Sequence, residues 1–350
     1  MAKVIVGMSG GVDSAVAAYL LKQEGHDVTG VTLRTFDKES RCCEIDDARR
    51  TCEILGIKYH PHNCTSLFDK CVVAPFVDDY LNGLTPNPCI ECNRYVKWAK
   101  LMELAGIFEA DYVATGHYAS IVKLDNGRST VKKAIHSAKD QTYMLYKLTQ
   151  EQLGHTLMPL GKYTKPEVRQ IAEEAGLPCA SKGDSQEICF VTDGRYTDFI
   201  RDYSSREIPG EGNFVDVNGN VLGKHKGIFQ YTVGQRKGLG IALGYPAFVL
   251  KINAEDNTVV LGDLDALMCD SFTCVNTNFL SIPDLEIGEE LKCLVKARYH
   301  QVERPAVITR VDESKVKVIY DEPVAGVSPG QSAVFYDEYG MIIGGGIIAR

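Results

Sequence analysis

An α/β domain with a parallel sheet, followed by a small β-rich central domain and a C-terminal β-barrel, is predicted by three observations. Over the first half of the chain, short apolar runs alternate with amphipathic helical stretches, the pattern of a parallel sheet covered on both faces. Near Tyr203 the texture changes: from Glu207 to about Gly262 glycines are dense and short alternating runs replace helices. A last stretch repeats evenly spaced short strands with turns between them, as small barrels do. The boundaries fall at 1–204, 205–266 and 267–350. A chain of 350 residues is long for one core, so several domains are expected.

The first strand, Val4-Ile5-Val6, is β-branched and uncharged. It feeds the loop Met8-Ser9-Gly10-Gly11-Val12-Asp13-Ser14, after which Ala15 to Leu21 reads as a helix closing at Gly25. The glycines let a ligand approach the backbone closely, and the first N–H groups of the helix point at whatever sits there, so the loop is an anion cradle. Two familiar phosphate loops do not fit it: there is no Gly-Lys-[Ser/Thr] ending and no Gly-x-Gly-x-x-Gly spacing. Ser9 to Ser14 instead resembles the pyrophosphate loop of enzymes that split ATP into AMP and pyrophosphate.

Asp27 to Leu33 reads as the second strand, Glu44 to Leu55 as a helix stopped by Gly56, and Ile57 to His60 as the third strand. Ligands of such sheets bind beyond the carboxyl ends of the strands, where the first loop lies and where Leu33 ends its strand. Two prolines in Thr85-Pro86-Asn87-Pro88 rule out a helix up to Pro88, and helical periodicity resumes from Asn93. Cys92 is therefore expected at or close to a helix N-terminus, where the dipole favours thiolate. Tyr112 to Ala114 is a strand running into Thr115-Gly116-His117-Tyr118, a ligand-facing turn. Lys139 to Leu145 reads as the polar start of an amphipathic element, and Pro166 to Ala175 as a helix with proline in its first turn. Beyond Tyr203, Asn218-Gly219 signals a hairpin. Strands are expected at 214–217, 247–250, 292–295, 306–308, 316–320 and 332–336.

Composition narrows the function. Hydrophobic residues at 45% and charged residues at 24% describe a soluble globular protein, and no apolar run reaches the ~18 residues of a membrane span. The chain starts a strand at once, without an export signal, so a cytoplasmic protein is expected. The net charge of −8 excludes a surface coated for nucleic acid but leaves room for a local basic groove. Twelve cysteines point to reduced thiols, metal binding or thiol chemistry rather than a disulfide scaffold. Cys89, Cys92 and Cys189 stand in loops beside the nucleotide-binding layer. Cys89-x-x-Cys92 has the spacing of half a zinc site, but no second half follows, and a thioredoxin-like context is missing. The remaining cysteines fall mostly in apolar settings; Cys42-Cys43 has no assigned role.

Taken in order, the motifs resemble those of the bacterial tRNA-specific 2-thiouridylases over nearly the whole chain. They run from Ser9–Ser14 through Thr85-Pro86-Asn87-Pro88, Cys92-Asn93, Thr115 to Tyr118, Asp140-Gln141 and Ile188-Cys189-Phe190. Gly223-Lys224-His225, Tyr231 to Gly240, Arg298-Tyr299, Pro329-Gly330-Gln331 and Gly344 to Ile348 complete them. The resemblance implies an adenine nucleotide α-hydrolase-like first domain and an ATP site at Gly7, Met8, Ser9, Gly10, Gly11, Val12, Asp13, Ser14, Leu33 and Gly116, with magnesium on the pyrophosphate. The substrate it implies is the wobble uridine of tRNA (Lys, Glu and Gln acceptors), held beside Asn87, Pro88 and Cys89. A base must leave its stack before its ring can be modified. O2 of the uracil would attack the α-phosphate, Cys189 would carry a persulfide from a sulfur-donor protein, and Cys92 would be the nucleophile that forms a disulfide with Cys189. His117, Lys139, Asp140, Gln141, Arg298, Tyr299 and Gln331 map to tRNA contacts, and Arg236 and Lys237 to the module that meets the RNA backbone.

Cys89 departs from the family, which has Asp there as a proposed acid/base helper. Three thiols with an open fourth position also suit a [4Fe–4S] cluster at Cys89, Cys92 and Cys189; the persulfide route needs only two of them and is preferred. Two rivals remain: an amide- or C–N-forming synthetase with the same loop, and a non-enzymatic RNA-binding module. The first has no need of paired thiols and the second none of an ATP-splitting loop.

Overall fold

The computed structural model describes residues 1–36, 45–183, 188–191 and 195–349. The Cys42-Cys43 pair lies outside them. Strands β1 (Lys3–Gly7), β2 (Asp27–Arg34), β3 (Lys58–Asn63), β4 (Tyr112–Ala114) and β7 (Thr156–Leu157) form one sheet in the order β3-β2-β1-β4-β7. Every pairing in it is parallel. Because β1 is central, both its faces are buried: Val4, Ile5 and Val6 are each at most 1% exposed, and burying each such aliphatic side chain contributes about 1.5–3 kcal/mol. That explains an unbroken apolar run rather than an alternating one. Helix α1 (Val12–Gln23) covers the sheet through Val16, Ala17 and Ala18, with α2 (Ile45–Leu55) beside it. Small residues let α1 lie close to β1.

On the other face run two long helical rods, 65–81 and 88–108. Each contains a π turn, at Asp69–Val73 and Cys92–Trp98. π turns cluster at functional sites more than elsewhere in helices. A hairpin of β5 (Ala119–Lys123) and β6 (Ser129–Lys133) leaves the sheet layer. Thr164 caps the helix Lys165–Glu174 in a reciprocal box with Glu167, so Lys165 lies inside the first turn that the proline alone placed at 166.

The central part is a four-stranded sheet, β10-β11-β8-β9, from β8 (Gly212–Val215), β9 (Val221–His225), β10 (Phe248–Asn253) and β11 (Thr258–Gly262). The last part closes into a six-stranded barrel, β12-β15-β14-β13-β16-β17. Its strands are β12 (Met268–Phe279), β13 (Glu290–Lys296), β14 (Arg304–Asp312), β15 (Lys315–Ala325), β16 (Ser332–Tyr336) and β17 (Ile342–Ile348). Closure leaves no edge strand. The expected strands are all present: 332–336 matches β16, 214–217 is shifted two residues toward the N-terminus in β8, and the other four are longer. In the barrel, β13, β14 and β15 continue their pairing past their most apolar residues.

These parts are not beads on a string. One core joins Trp98, Leu101 and Tyr143 of the first part to Phe229 of the second and to Val334, Tyr336 and Ile342 of the barrel. Tyr143 Oη donates to the Ser332 carbonyl at 2.7 Å, and Asn278 Nδ2 donates to the carbonyls of Tyr146 and Leu148 at 2.6 and 3.1 Å. Lys133 pairs with Glu303 at 2.6 Å across the same seam. Among the described residues no helix is long and apolar enough to cross a membrane.

Candidate active site

The loop after β1 is braced by its own side chains. The Ser9 N–H donates to Ser14 Oγ at 3.1 Å, Ser14 Oγ donates to the Gly11 carbonyl at 3.0 Å, and the two serine hydroxyls lie 3.2 Å apart. Gly10 has φ +76°, a left-handed turn that a side chain would strain. Met8 is buried, and its N–H donates to the Val31 carbonyl at 2.8 Å, which registers the loop to β2. Leu33, two residues further along β2, is 9% exposed at the same carboxyl edge. Gly116 closes the loop from the β4 side: a Cβ there would stand 2.6 Å from Asp13 C and 2.7 Å from Ser14 N. The sheet therefore brings Gly7 to Ser14, Leu33 and Gly116 to one rim.

Asp13 is held where the sequence offered no partner. Lys165 Nζ lies 2.7 and 2.9 Å from its two carboxylate oxygens, and Tyr118 Oη donates to Oδ1 at 2.8 Å. Lys165 is only 8% exposed. Neither residue entered the sequence-derived site, although Tyr118 closed a quoted motif. The available signal was a lysine in the first turn of a capped helix, a position where a cation opposes the helix dipole and needs a compensating anion.

Around the thiols, the sequence expectation needs correcting. Pro88 does not block the helix but starts it: Pro88–Glu91 is a helical turn, with Asn87 as N-cap accepting the Cys89 N–H at 3.2 Å. Proline suits the first helical position because that N–H has no intrahelical partner. So Cys89, not Cys92, occupies the N-terminal turn. Cys92 begins the π turn one step deeper and is buried, while Cys89 is half-buried. Cys189 is half-buried and packs against the same core that contains Cys92. Among the described residues, no group of three or more His, Cys, Asp or Glu side chains is gathered to hold a metal ion.

The residues mapped to RNA contacts divide into two sets. Arg236 and Lys237 are exposed, and Arg236 lines an open cavity of about 530 Å³ with Leu239, Tyr245 and neighbours. Most of the others are engaged inside the protein. Asp140 is buried; its carboxylate accepts from the Ala134 N–H at 3.2 Å and the Thr142 hydroxyl at 2.7 Å, and burial raises its pKa. Gln141 Oε1 accepts the Tyr118 N–H at 3.0 Å. Tyr299 Oη donates to the Asp140 carbonyl at 3.2 Å, burial and then Asp140 and Cys89 raise its pKa, and its ring packs against the core that contains Cys92. Arg298 bonds the Val233 carbonyl and Ser328 Oγ, tying the central part to the barrel. Gln331 donates to the carbonyls of Thr85 and Pro86. Lys139 ends a short 3₁₀ turn at Ser137–Lys139, and the amphipathic element expected over Lys139 to Leu145 is a second 3₁₀ turn, Thr142–Leu145. His117 Nδ1 lies 2.9 Å from Thr115 Oγ1 with its ring 5.4 Å from Trp98; burial, then Lys97, lowers its pKa to about 3, so it is neutral at pH 7.

Three family descriptions match consecutive stretches: tRNA methyl transferase HUP domain over residues 2–193, tRNA methyl transferase PRC-barrel domain over 197–263, and Aminomethyltransferase beta-barrel domain over 270–348. The HUP match agrees with the parallel sheet, and the barrel match with the closed six-stranded barrel. Full-length relatives are more specific. The chain is 50% identical to the tRNA-specific 2-thiouridylase MnmA of Lachnoclostridium phytofermentans, covering 100% of both chains. It is 51% identical to MnmA 1 of a Thermoanaerobacter species, over 99% of this chain and 98% of that one, and 48% identical to the MnmA of Clostridioides difficile over the same shares. A solved structure, the U34-tRNA thiolase NcsA from Methanococcus maripaludis with its [4Fe-4S] cluster, is similar at a TM-score of 0.37 and 20% identity, over 57% of this chain and 63% of that one. That likeness is too remote to bear on chemistry. Colinear identity near one half from the first residues to the last leaves one conclusion: this chain belongs to the tRNA-specific 2-thiouridylase family.

Proposed function

We propose that the chain is a tRNA-uridine 2-sulfurtransferase of the cytoplasm, which replaces O2 of a wobble uridine by sulfur at the expense of ATP. The observation that carries this reading is the full-length identity to 2-thiouridylases, supported by an anion cradle at the carboxyl edge of the sheet and by Cys92 and Cys189 in or against one core. The backbone N–H groups of Ser9 to Ser14 bind the pyrophosphate end of ATP, Leu33 packs on the adenine, and Gly116 lets the loop sit close against the end of β4. Lys165 adds a positive charge to the rim. Magnesium, where present, rides on the phosphates, since both Asp13 oxygens already face Lys165 and Tyr118.

Uracil O2 attacks the α-phosphate; the bond to pyrophosphate breaks and an O2-adenylated base forms. The terminal sulfur of a Cys189 persulfide then adds to C2, and AMP leaves with the former O2. The Cys92 thiolate attacks Sγ of Cys189, so the S–S bond breaks, its electron pair stays on the transferred sulfur, and a Cys92–Cys189 disulfide remains for an external dithiol to reduce. The persulfide comes from a sulfur-donor protein. Asn87, Pro88 and Cys89 line the base pocket. Cys89 at the helical N-terminus is the better placed of the two neighbouring thiols to share a proton with the base, because the dipole stabilises its thiolate. A [4Fe–4S] cluster finds no gathered donor set among the described residues, and no step is routed through one.

The test is mass spectrometry of the wobble nucleoside after incubation with tRNA, ATP and a persulfide donor. Cys189→Ser is expected to abolish 2-thiouridine while pyrophosphate release persists. Full thiolation by Cys189→Ser, or no thiolation by the unaltered chain, overturns the reading.

A further inference from the structure

Prolines at 86 and 88 remove two of the N–H donors in the stretch Thr85–Pro88 that leads into the Asn87-capped turn, so that lead-in has little means of fixing itself by local hydrogen bonds. The fixing comes from a turn 240 residues away in sequence, at the entrance to β16. Gly330 N–H donates to the Ile348 carbonyl at 2.9 Å and Gln331 N–H to the Ser328 carbonyl at 3.1 Å, which makes the turn part of the barrel. From there the turn grips the segment twice. The Thr85 N–H donates to the Pro329 carbonyl at 3.0 Å, and Gln331 Nε2 donates to the carbonyls of Thr85 and Pro86 at 2.8 and 3.4 Å. Gly330, at φ +88°, permits the approach: a Cβ would stand 2.8 Å from Thr85 N and 2.9 Å from Leu84 Cβ. On its other side the same turn meets the central part, where Ser328 Oγ donates to the Val233 carbonyl at 3.2 Å and Arg298 bonds both.

We propose that Gln331 is a positioning residue: with Gly330 as its spacer, it latches the barrel onto the segment that presents Cys89 and Cys92, and so sets the placement of the Cys92 thiol. Its amide is used inward, on two carbonyls just before the Asn87 cap, rather than on RNA. The latch also makes the thiol's position depend on how the three parts of the chain are seated on one another. For its activity readout the inference rests on the thiolation proposed above; for its structural readout it does not.

Three variants of the full chain test it: Gln331→Ala, Gln331→Glu, which keeps the shape but loses the donors, and Gly330→Ala, which removes no group able to touch RNA. Three quantities are read: the alkylation rate of Cys92 by iodoacetamide, resolved by peptide mass spectrometry; the single-turnover thiolation rate at saturating tRNA; and the tRNA dissociation constant. All three variants are expected to speed alkylation several-fold and to slow thiolation by about 10- to 100-fold, as loss of positioning does, with tRNA affinity held within about twofold. Unchanged alkylation, or a tRNA affinity weakened about tenfold with the saturated rate intact, overturns the latch and makes Gln331 an RNA contact. Should Gly330→Ala not fold, the two Gln331 variants decide. Should the unaltered chain not thiolate tRNA, the proposed function falls, and the alkylation arm still decides the latch.

Discussion

The Ser9–Ser14 loop and the Thr85–Cys92 segment, the two regions proposed to act together, are held in opposite ways. The loop closes on itself through Ser9, Ser14 and Gly11 and is seated on β1 and β2, to which Met8 N–H registers it. The proline-rich segment is held by residues that follow it by more than 200 positions. The loop's own bonds are local, with Tyr118, Lys165 and Gly116 packed around them; the segment before Cys89 is held from the barrel.

The comparison breaks most readily at Gly116. Gly116→Ala drives a methyl group into the Asp13–Ser14 backbone, and pyrophosphate release is expected to fall about 100-fold or more through misplacement of the loop, with Cys92 alkylation unchanged. Equal damage to both readouts removes the distinction between the two regions. Lys165→Met leaves the Asp13 carboxylate with Tyr118 alone. Because Asp13 is about one-third exposed, the loss is expected at roughly 1–3 kcal/mol, less than for a fully buried pair, read by urea denaturation alongside slower pyrophosphate release.

His117 sits where the two regions meet, beside Gly116 and against Trp98 of the Cys92 helix. Its pKa of about 3 in the folded state lies below the ordinary 6.5, so the neutral ring stabilises the fold. That contribution is complete above about pH 6.5 and is lost as the pH falls toward 3, at about 1.4 kcal/mol per pH unit for one proton. Denaturation curves of the unaltered chain between pH 7 and 4 are expected to be steeper in pH than those of His117→Asn; equal slopes remove His117 from that role. The smallest effect separates two arginines. Arg236→Ala, at an exposed site, is expected to weaken tRNA binding a few-fold and to lower the salt dependence by about one phosphate contact. Arg298→Ala is expected to lower thermal stability and leave the salt slope alone, since its guanidinium is spent between Val233 and Ser328. A reduced slope for Arg298→Ala returns it to the RNA surface.

The sequence by itself determined the parallel sheet, the two β-rich parts that follow and the glycine-rich loop after the first strand. Each rests on local chemistry: β-branched runs make buried strands, glycines permit a tight loop, and hydrophobic period tells strand from helix. It misplaced the start of the Cys92 helix because a proline reads equally as a stop and as a first-turn residue. Only the tertiary structure decided that Lys165 faces Asp13, that Asp140 and Arg298 are turned inward, and that Gln331 reaches Thr85. Those choices join residues 152, 30 and 246 positions apart for Lys165–Asp13, Arg298–Ser328 and Gln331–Thr85. Hydrogen bonds and ion pairs leave no periodic trace in a sequence, so a polar side chain bound for RNA and one bound for a neighbouring domain look alike until the domains are packed.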